Sequence, residues 1–196
     1  MEELRYIMKY LHGLFAHTEE TWCHLSEPDV QEADLSYMTR CYYYPLMGVG
    51  TLLIFLLHGN GILLHKQPFD ASFNFEFAMK GAISFALSYV LAPSLAVLVI
   101  KLLFCRLTGF KIEKQTLEVF AYYSTSVVMV LSLFCSCLPN FTFLTFILLY
   151  AINIVYQGSE PFLKVVVNRG YFITIASAAI LFSPWVIKTV LAIFVK

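Results

Sequence analysis

The sequence predicts an all-α protein, a polytopic membrane helical bundle with five transmembrane helices and an N-terminal cytoplasmic amphipathic helix. Three observations predict it. Hydrophobic residues make up 59% of the 196 and charged residues 13%, against roughly 45–50% and about 25% in soluble domains. The apolar excess is gathered into long runs rather than spread along the chain, the pattern of membrane-spanning helices. Charge is segregated as well. Residues 1–34 hold eight of the thirteen acids and only Arg5 and Lys9 as bases, so this stretch carries −6 and the remainder +6.

Residues 2–16 are amphipathic. Leu4, Ile7, Met8, Leu11, Leu14 and Phe15 recur at i, i+3, i+4 and i+7 along one helical face, with Glu2, Arg5, Lys9 and His12 off it. Glu2 and Glu3 suit a helix N-terminus. "TEETWCHLSEPD" adds a short second segment with Trp22 and Leu25 as its apolar residues, broken by "SEPD". The start is acidic and its apolar residues are spaced, unlike a signal peptide. Residues 1–40 are therefore read as a cytoplasmic amphipathic and acidic arm, and residues 41–196 as the membrane domain.

Five apolar runs follow: Tyr42–His58, Ala78–Phe104, Leu117–Leu138, Phe141–Tyr156 and Tyr171–Phe194. Crossing a ~30 Å hydrocarbon core takes about 20 apolar residues in a helix. The first and fourth runs lie near the lower limit, and the second and fifth leave room for tilt. None alternates as barrel strands do. "YYYP" opens the first run, and Gly59-Asn60-Gly61 turns the chain after it. Pro93 falls inside the second, where it can kink the helix and free a carbonyl. Only "CLPN" separates the third from the fourth, which implies a tight helical hairpin.

With the N-terminus inside, nine Lys and Arg residues fall on the cytoplasmic side and four (Lys66, Lys80, Lys188, Lys196) on the other. Basic loops stay inside, so the expected orientation is N-terminus cytoplasmic, C-terminus external, in the cell (inner) membrane.

The third run opens with "LEVFAYYSTS". Glu118, Phe120, Tyr122 and Tyr123 fit an interfacial aromatic belt, with the acid near the positive end of the helix dipole. Ser124, Thr125 and Ser126 lie a turn deeper, where small polar residues mark close helix packing. Asn153 is the most polar residue deep in a run and is expected to face them. Glu118, Tyr122, Ser124, Ser126, Asn153 and Tyr156 form the candidate polar cluster.

Catalytic chemistry has no foothold in the pattern. The five cysteines form no Cys-x-x-Cys pair, and His17, Cys23 and His24 match no metal-ligand spacing. No Ser-His-Asp order, Gly-rich phosphate loop or long basic tract is present. The expectation is a non-enzyme without metal or cofactor and without a nucleic-acid partner. Its expected contacts are the lipid bilayer, a protein partner through the N-terminal arm, and further copies of itself. The alternative is a small transporter or channel with a path near Asn153 and Pro93.

An amphipathic, tryptophan-containing arm precedes the runs, Ala121-Tyr122 opens the third, and Tyr156-Gln157-Gly158 ends the fourth. In this order and spacing the chain resembles the Yip (Ypt-interacting protein) domain family of small integral membrane proteins, in its prokaryotic form, over roughly residues 20–194. The resemblance implies five spans, a cytoplasmic N-terminus and an external C-terminus, and a membrane scaffold or interaction protein. Eukaryotic members carry Asp-Leu-Tyr-Gly-Pro before the first span. "LSYMTRCYYYP" does not match it, so binding of small GTPases is not carried over.

Overall fold

The computed structural model describes residues 2–27, 30, 34–60, 73–138 and 142–194. Seven helices are found among them: α1 (Glu2–Ala16), α2 (Thr18–Leu25), α3 (Leu35–Gly59), α4 (Phe75–Thr108), α5 (Lys114–Cys137), α6 (Tyr150–Ser159) and α7 (Arg169–Phe194). No strand occurs among the described residues. Four helices, α3, α4, α5 and α7, are long and apolar enough to cross a membrane. At about 1.5 Å per residue each exceeds the ~30 Å of a hydrocarbon core. The fourth apolar run behaves differently. Thr142–Leu149 is 3-10 helix and only Tyr150–Ser159 is α-helical. The hairpin tip at Pro139 and Asn140 lies outside the described residues, as do Asp29 and Glu32 of the acidic arm.

Helix α4 packs most extensively on α7 and α3, and next on α5. Rows of apolar side chains remain exposed on the outside: Val49, Leu52 and Leu56 on α3, Ile83, Leu87 and Leu91 on α4, and Phe182, Trp185, Val186 and Val190 on α7. Such surface is unfavourable in water and ordinary against lipid.

Prolines interrupt three of the helices, and each leaves the carbonyl four residues earlier without its usual N–H partner. Pro45 stands just after a π-helical stretch at Thr39–Tyr43. The wider turn makes room where the proline ring would press on the Cys41 carbonyl. Pro93 of α4 frees the Tyr89 carbonyl, and the Tyr43 hydroxyl donates to it at 2.6 Å. Pro184 of α7 frees the Ile180 carbonyl, which the Ser183 hydroxyl approaches at 3.5 Å. In an apolar medium an open carbonyl costs several kcal/mol, and neighbouring hydroxyls are the usual remedy.

The π stretch also lets consecutive tyrosines serve different neighbours. Tyr42 and Tyr43 are both fully buried. Tyr43 reaches α4, while the Tyr42 hydroxyl pairs with Ser126 Oγ of α5 at 2.8 Å.

Helices α1 and α2 form a hairpin whose apolar residues join the core of the bundle. Ile7, Tyr10, Leu14, Trp22 and Leu25 belong to the same buried cluster as Phe104, Phe120, Tyr123 and Phe172. The buried face of α1 differs from the expected stripe. Ile7 and Leu14 point inward as expected, Tyr10 joins them, and Met8 is 59% exposed. The expected stripe included Met8 and did not include Tyr10. Ring packing reverses them, because Tyr10 lies against Tyr6 and Tyr123 at centroid distances of 4.9 and 5.8 Å.

Tyr43→Phe should leave the Tyr89 carbonyl unpaired and destabilise the protein by about 1–3 kcal/mol. Pro93→Ala returns an N–H to that carbonyl. Tyr43→Phe should therefore cost measurably less in the Pro93→Ala background, in a double-mutant cycle read by unfolding in detergent. Equal costs in both backgrounds would dissociate the hydroxyl from the proline.

Candidate functional site

The "LEVFAYYSTS" segment lies where the N-terminal hairpin meets the bundle. Phe120 and Tyr123 receive the Trp22 ring at 5.1 and 6.1 Å, and Phe162 closes on it from the loop after α6 at 5.1 Å. The Tyr123 hydroxyl pairs with that of Tyr6 at 3.1 Å. Ser126 Oγ, besides meeting Tyr42, donates to its own helix at the Tyr123 carbonyl, 2.6 Å away. Ser124 and Thr125 are fully buried, and their hydroxyls make no hydrogen bond among the described residues.

Gly158 is what admits Trp22. A Cβ there would stand 2.7 Å from Trp22 Cε2 and 2.8 Å from Phe120 Cε2. The Tyr-x-Gly step thus leaves a gap in α6 the size of an indole edge.

The six residues of the candidate cluster are distributed over several surroundings. Ser124 and Ser126 are in the core, and Tyr122 is half-buried edge-on to Tyr43 at 4.8 Å. Glu118 sits in the second turn of α5, since the helix starts at Lys114, and it pairs with Lys114 Nζ at 3.5 Å. Glu113 takes the N-terminal position that the dipole favours for an acid. Asn153 does not face the hydroxyls of α5. It accepts from Gln157 at 3.1 Å and lines a groove with Phe15, Thr18 and Tyr150 beside the α1–α2 turn. Tyr156 belongs to the entry of α7. The Arg169 guanidinium stacks over its ring at 4.5 Å, donates to its carbonyl and to Ser159 Oγ at 3.0 Å each, and pairs with Glu160.

The bundle holds a second polar region at its other end, among the C-terminal halves of α3, α5 and α7 and the N-terminal half of α4. A cavity of about 590 Å³ opens there, within the range of small-molecule sites. Its walls are largely apolar, with Ile54, Phe85, Val128 and Trp185 among them, and its polar groups form a short series. Ser84 and Ser88 line it from α4, Ser132 and Ser136 from α5, each pair one helical turn apart. Ser88 and Ser136 donate to the carbonyls of Ser84 and Ser132 at 2.6 and 2.8 Å, so their oxygens retain acceptor capacity toward the cavity. His58 and Lys188 supply its basic groups. The His58 ring is held by Nδ1–H donation to the Ile54 carbonyl at 3.1 Å and by Phe77 at 5.2 Å. Gly81 makes room for it, since a Cβ there would stand 2.6 Å from the ring. Paired serines at i, i+4 on two apolar helices were the sequence signal for this cavity.

Among the described residues no group of three or more His, Cys, Asp and Glu could hold a metal ion. His17 and His24 instead face Glu20 and Glu27 on the exposed side of the hairpin, at 3.5 Å each.

Gly158→Ala should force Trp22 from its seat and lower stability by about 1–3 kcal/mol, as overpacking does in cores. The checks are a lower melting temperature in detergent and a red-shifted tryptophan emission. Unchanged values would mean that Trp22 is accommodated elsewhere.

No family model, curated protein or solved structure matches the chain.

Proposed function

We propose that the chain is a multi-pass membrane protein of the Yip-like architecture, with five crossings and a cytoplasmic N-terminus, acting as a membrane scaffold or interaction protein rather than a conduit. The observation that carries this reading is the aromatic seal at one end of the bundle. Tyr10, Trp22, Tyr42, Tyr43, Phe104, Phe120, Tyr123 and Phe172 are all under 2% exposed there. A permeation path through the bundle would have to displace these rings. The cavity at the other end supports a protein that holds something from one side.

The 3-10 stretch supports a fifth crossing beside the four long helices. Eight residues at about 2.0 Å and ten at about 1.5 Å carry the fourth run across roughly 31 Å, enough for the hydrocarbon core despite its short α-helix. The ends of the helices support the same alternation. The start of α3, end of α4, start of α5, end of α6 and start of α7 all meet the N-terminal hairpin or its contacts. Arg106, Lys111, Lys114, Lys164 and Arg169 gather at that end, which the basic-loop rule assigns to the cytoplasm. A small transporter is the second reading, favoured by the cavity. Its path would run from the cavity toward the seal, since the Tyr89 carbonyl beside Pro93 is already paired and Asn153 lies in a different groove.

A phosphatase fused to the C-terminus should be active outside the cytoplasm and a fluorescent protein fused to the N-terminus should glow. Four crossings would put both ends on one side and silence the phosphatase. Purified protein in sealed vesicles should not accelerate equilibration of small ions or polar solutes. Flux would move the assignment to the transporter.

A further inference from the structure

We infer that the cavity among α3, α4, α5 and α7 binds a single-chain anionic amphiphile, with its acyl chain inside the bundle and its carboxylate or phosphate against Lys188 and His58. The membrane reading bears only on where the ligand comes from. Binding can be measured in detergent, so it fails independently of the topology assay.

The chemistry of the walls selects the class. Ile54, Phe85, Val128, Leu148, Leu181 and Trp185 offer apolar surface from every packed helix around the space, suited to a hydrocarbon chain and poor for a sugar or a nucleotide. The two basic groups lie in the same lining. Lys188 is in no ion pair among the described residues, and Glu76, an acid at this end of the bundle, is engaged by Lys80 at 2.7 Å. An ammonium beside an imidazole in apolar surroundings calls for an anion. With Nδ1–H committed to the Ile54 carbonyl, His58 Nε2 is an acceptor in the neutral ring and donates to an anionic head group when the ring is protonated, so Lys188 is the principal anion donor. Flexible Lys188 can follow a head group at the lip of the cavity while the chain lies deeper.

The serines refine the fit. Ser88 and Ser136 have spent their protons within their own helices, so they present acceptors to whatever passes between α4 and α5. They make the waist of the cavity tolerant of a polar or hydrated segment, such as the ester of a lipid. A fatty-acid carboxylate and the phosphate of an acidic lysophospholipid share the required chemistry.

Trp185 lines the cavity, and Trp22, the other of the two tryptophans, is buried at the sealed end. Dibromostearate added to the purified full chain in detergent should therefore quench Trp185 saturably, leaving the emission of Trp22. Oleate should displace it if a free fatty acid is the ligand, and lysophosphatidylglycerol if a single-chain phospholipid is. Displacement by neither would overturn the proposal. Lys188→Glu, on an exposed side chain, should weaken binding about tenfold or more, the size of one charge-assisted hydrogen bond, and Lys188→Arg should retain it. Ser132→Leu should fill the waist and abolish saturable quenching. If that variant does not fold, Lys188→Glu decides alone. Quenching that rises linearly with probe and ignores Lys188→Glu is partition onto the surface, and would overturn the site.

Discussion

The carbonyl of Tyr89 organises this bundle. Pro93 cannot donate to it, and no water is at hand in an apolar interior, so another donor must come from a neighbouring helix. Tyr43 supplies it at 2.6 Å, which fixes the height of α3 against α4. The adjacent Tyr42 then meets Ser126, which fixes α5 against α3. Two neighbouring residues thereby register three long helices. The π stretch ahead of Pro45 places both side chains inward. One proline fault is thus repaired by a segment that another proline reshapes.

The N-terminal hairpin follows from the same layer. Tyr123, one turn before the hydroxyls, pairs with Tyr6 and carries the rings of Tyr10 and Trp22. Trp22 in turn requires Gly158, so the hairpin bridges α5 and α6. Arg169 ties the end of α6 to the start of α7 through Tyr156, Ser159 and Glu160, across a loop whose Lys164 and Asn168 adopt left-handed backbone at φ 55° and 57°. The acidic character of the arm plays little part in this docking. Among the described residues an acid of the arm meets the bundle at Asp34, which accepts from Gln115 in the first turn of α5 at 3.2 Å, on the surface. Burial of rings carries the energy, as expected when exposed ion pairs contribute only about 0–1 kcal/mol each.

The positions of the long helices were legible in the sequence because lipid imposes a length that runs of apolar residues reveal directly. Helix α5 begins three residues before the expected Leu117, and α4 three before Ala78, since polar residues such as Lys114 and Glu76 continue a helix past its apolar part. Pro93 was legible as a source of a free carbonyl, but its partner was not, because Tyr43 lies 50 residues away and tyrosine also suits an interfacial belt. Met8 was read into the buried stripe and is exposed, while Tyr10, which the stripe omitted, is buried among rings, because hydropathy is blind to ring geometry. Asn153 was read as deep because it lies within an apolar run, yet the helix turns it toward the hairpin groove. The trace of the cavity, Ser84 and Ser88 on α4 with Ser132 and Ser136 on α5, formed no part of the candidate cluster, because serines at i, i+4 are also ordinary in packed membrane helices.

Two polar layers cross this otherwise apolar bundle, and they differ in what can reach them. In the sealed layer, Tyr6, Tyr42, Tyr43, Tyr123 and Ser126 pair with one another or with backbone carbonyls. A satisfied network in low dielectric rigidifies what it joins and leaves little for a ligand to gain. In the cavity layer Ser88 and Ser136 spend their protons within their own helices, and Lys188 has no carboxylate among the described residues. The sealed layer also encloses the hydroxyls of Ser124 and Thr125, which make no hydrogen bond among the described residues, so the layers differ in access rather than in satisfaction: one is closed off by rings and the other opens into the cavity. The distinction assigns architecture to the end that carries the hairpin and binding to the end that carries Lys188.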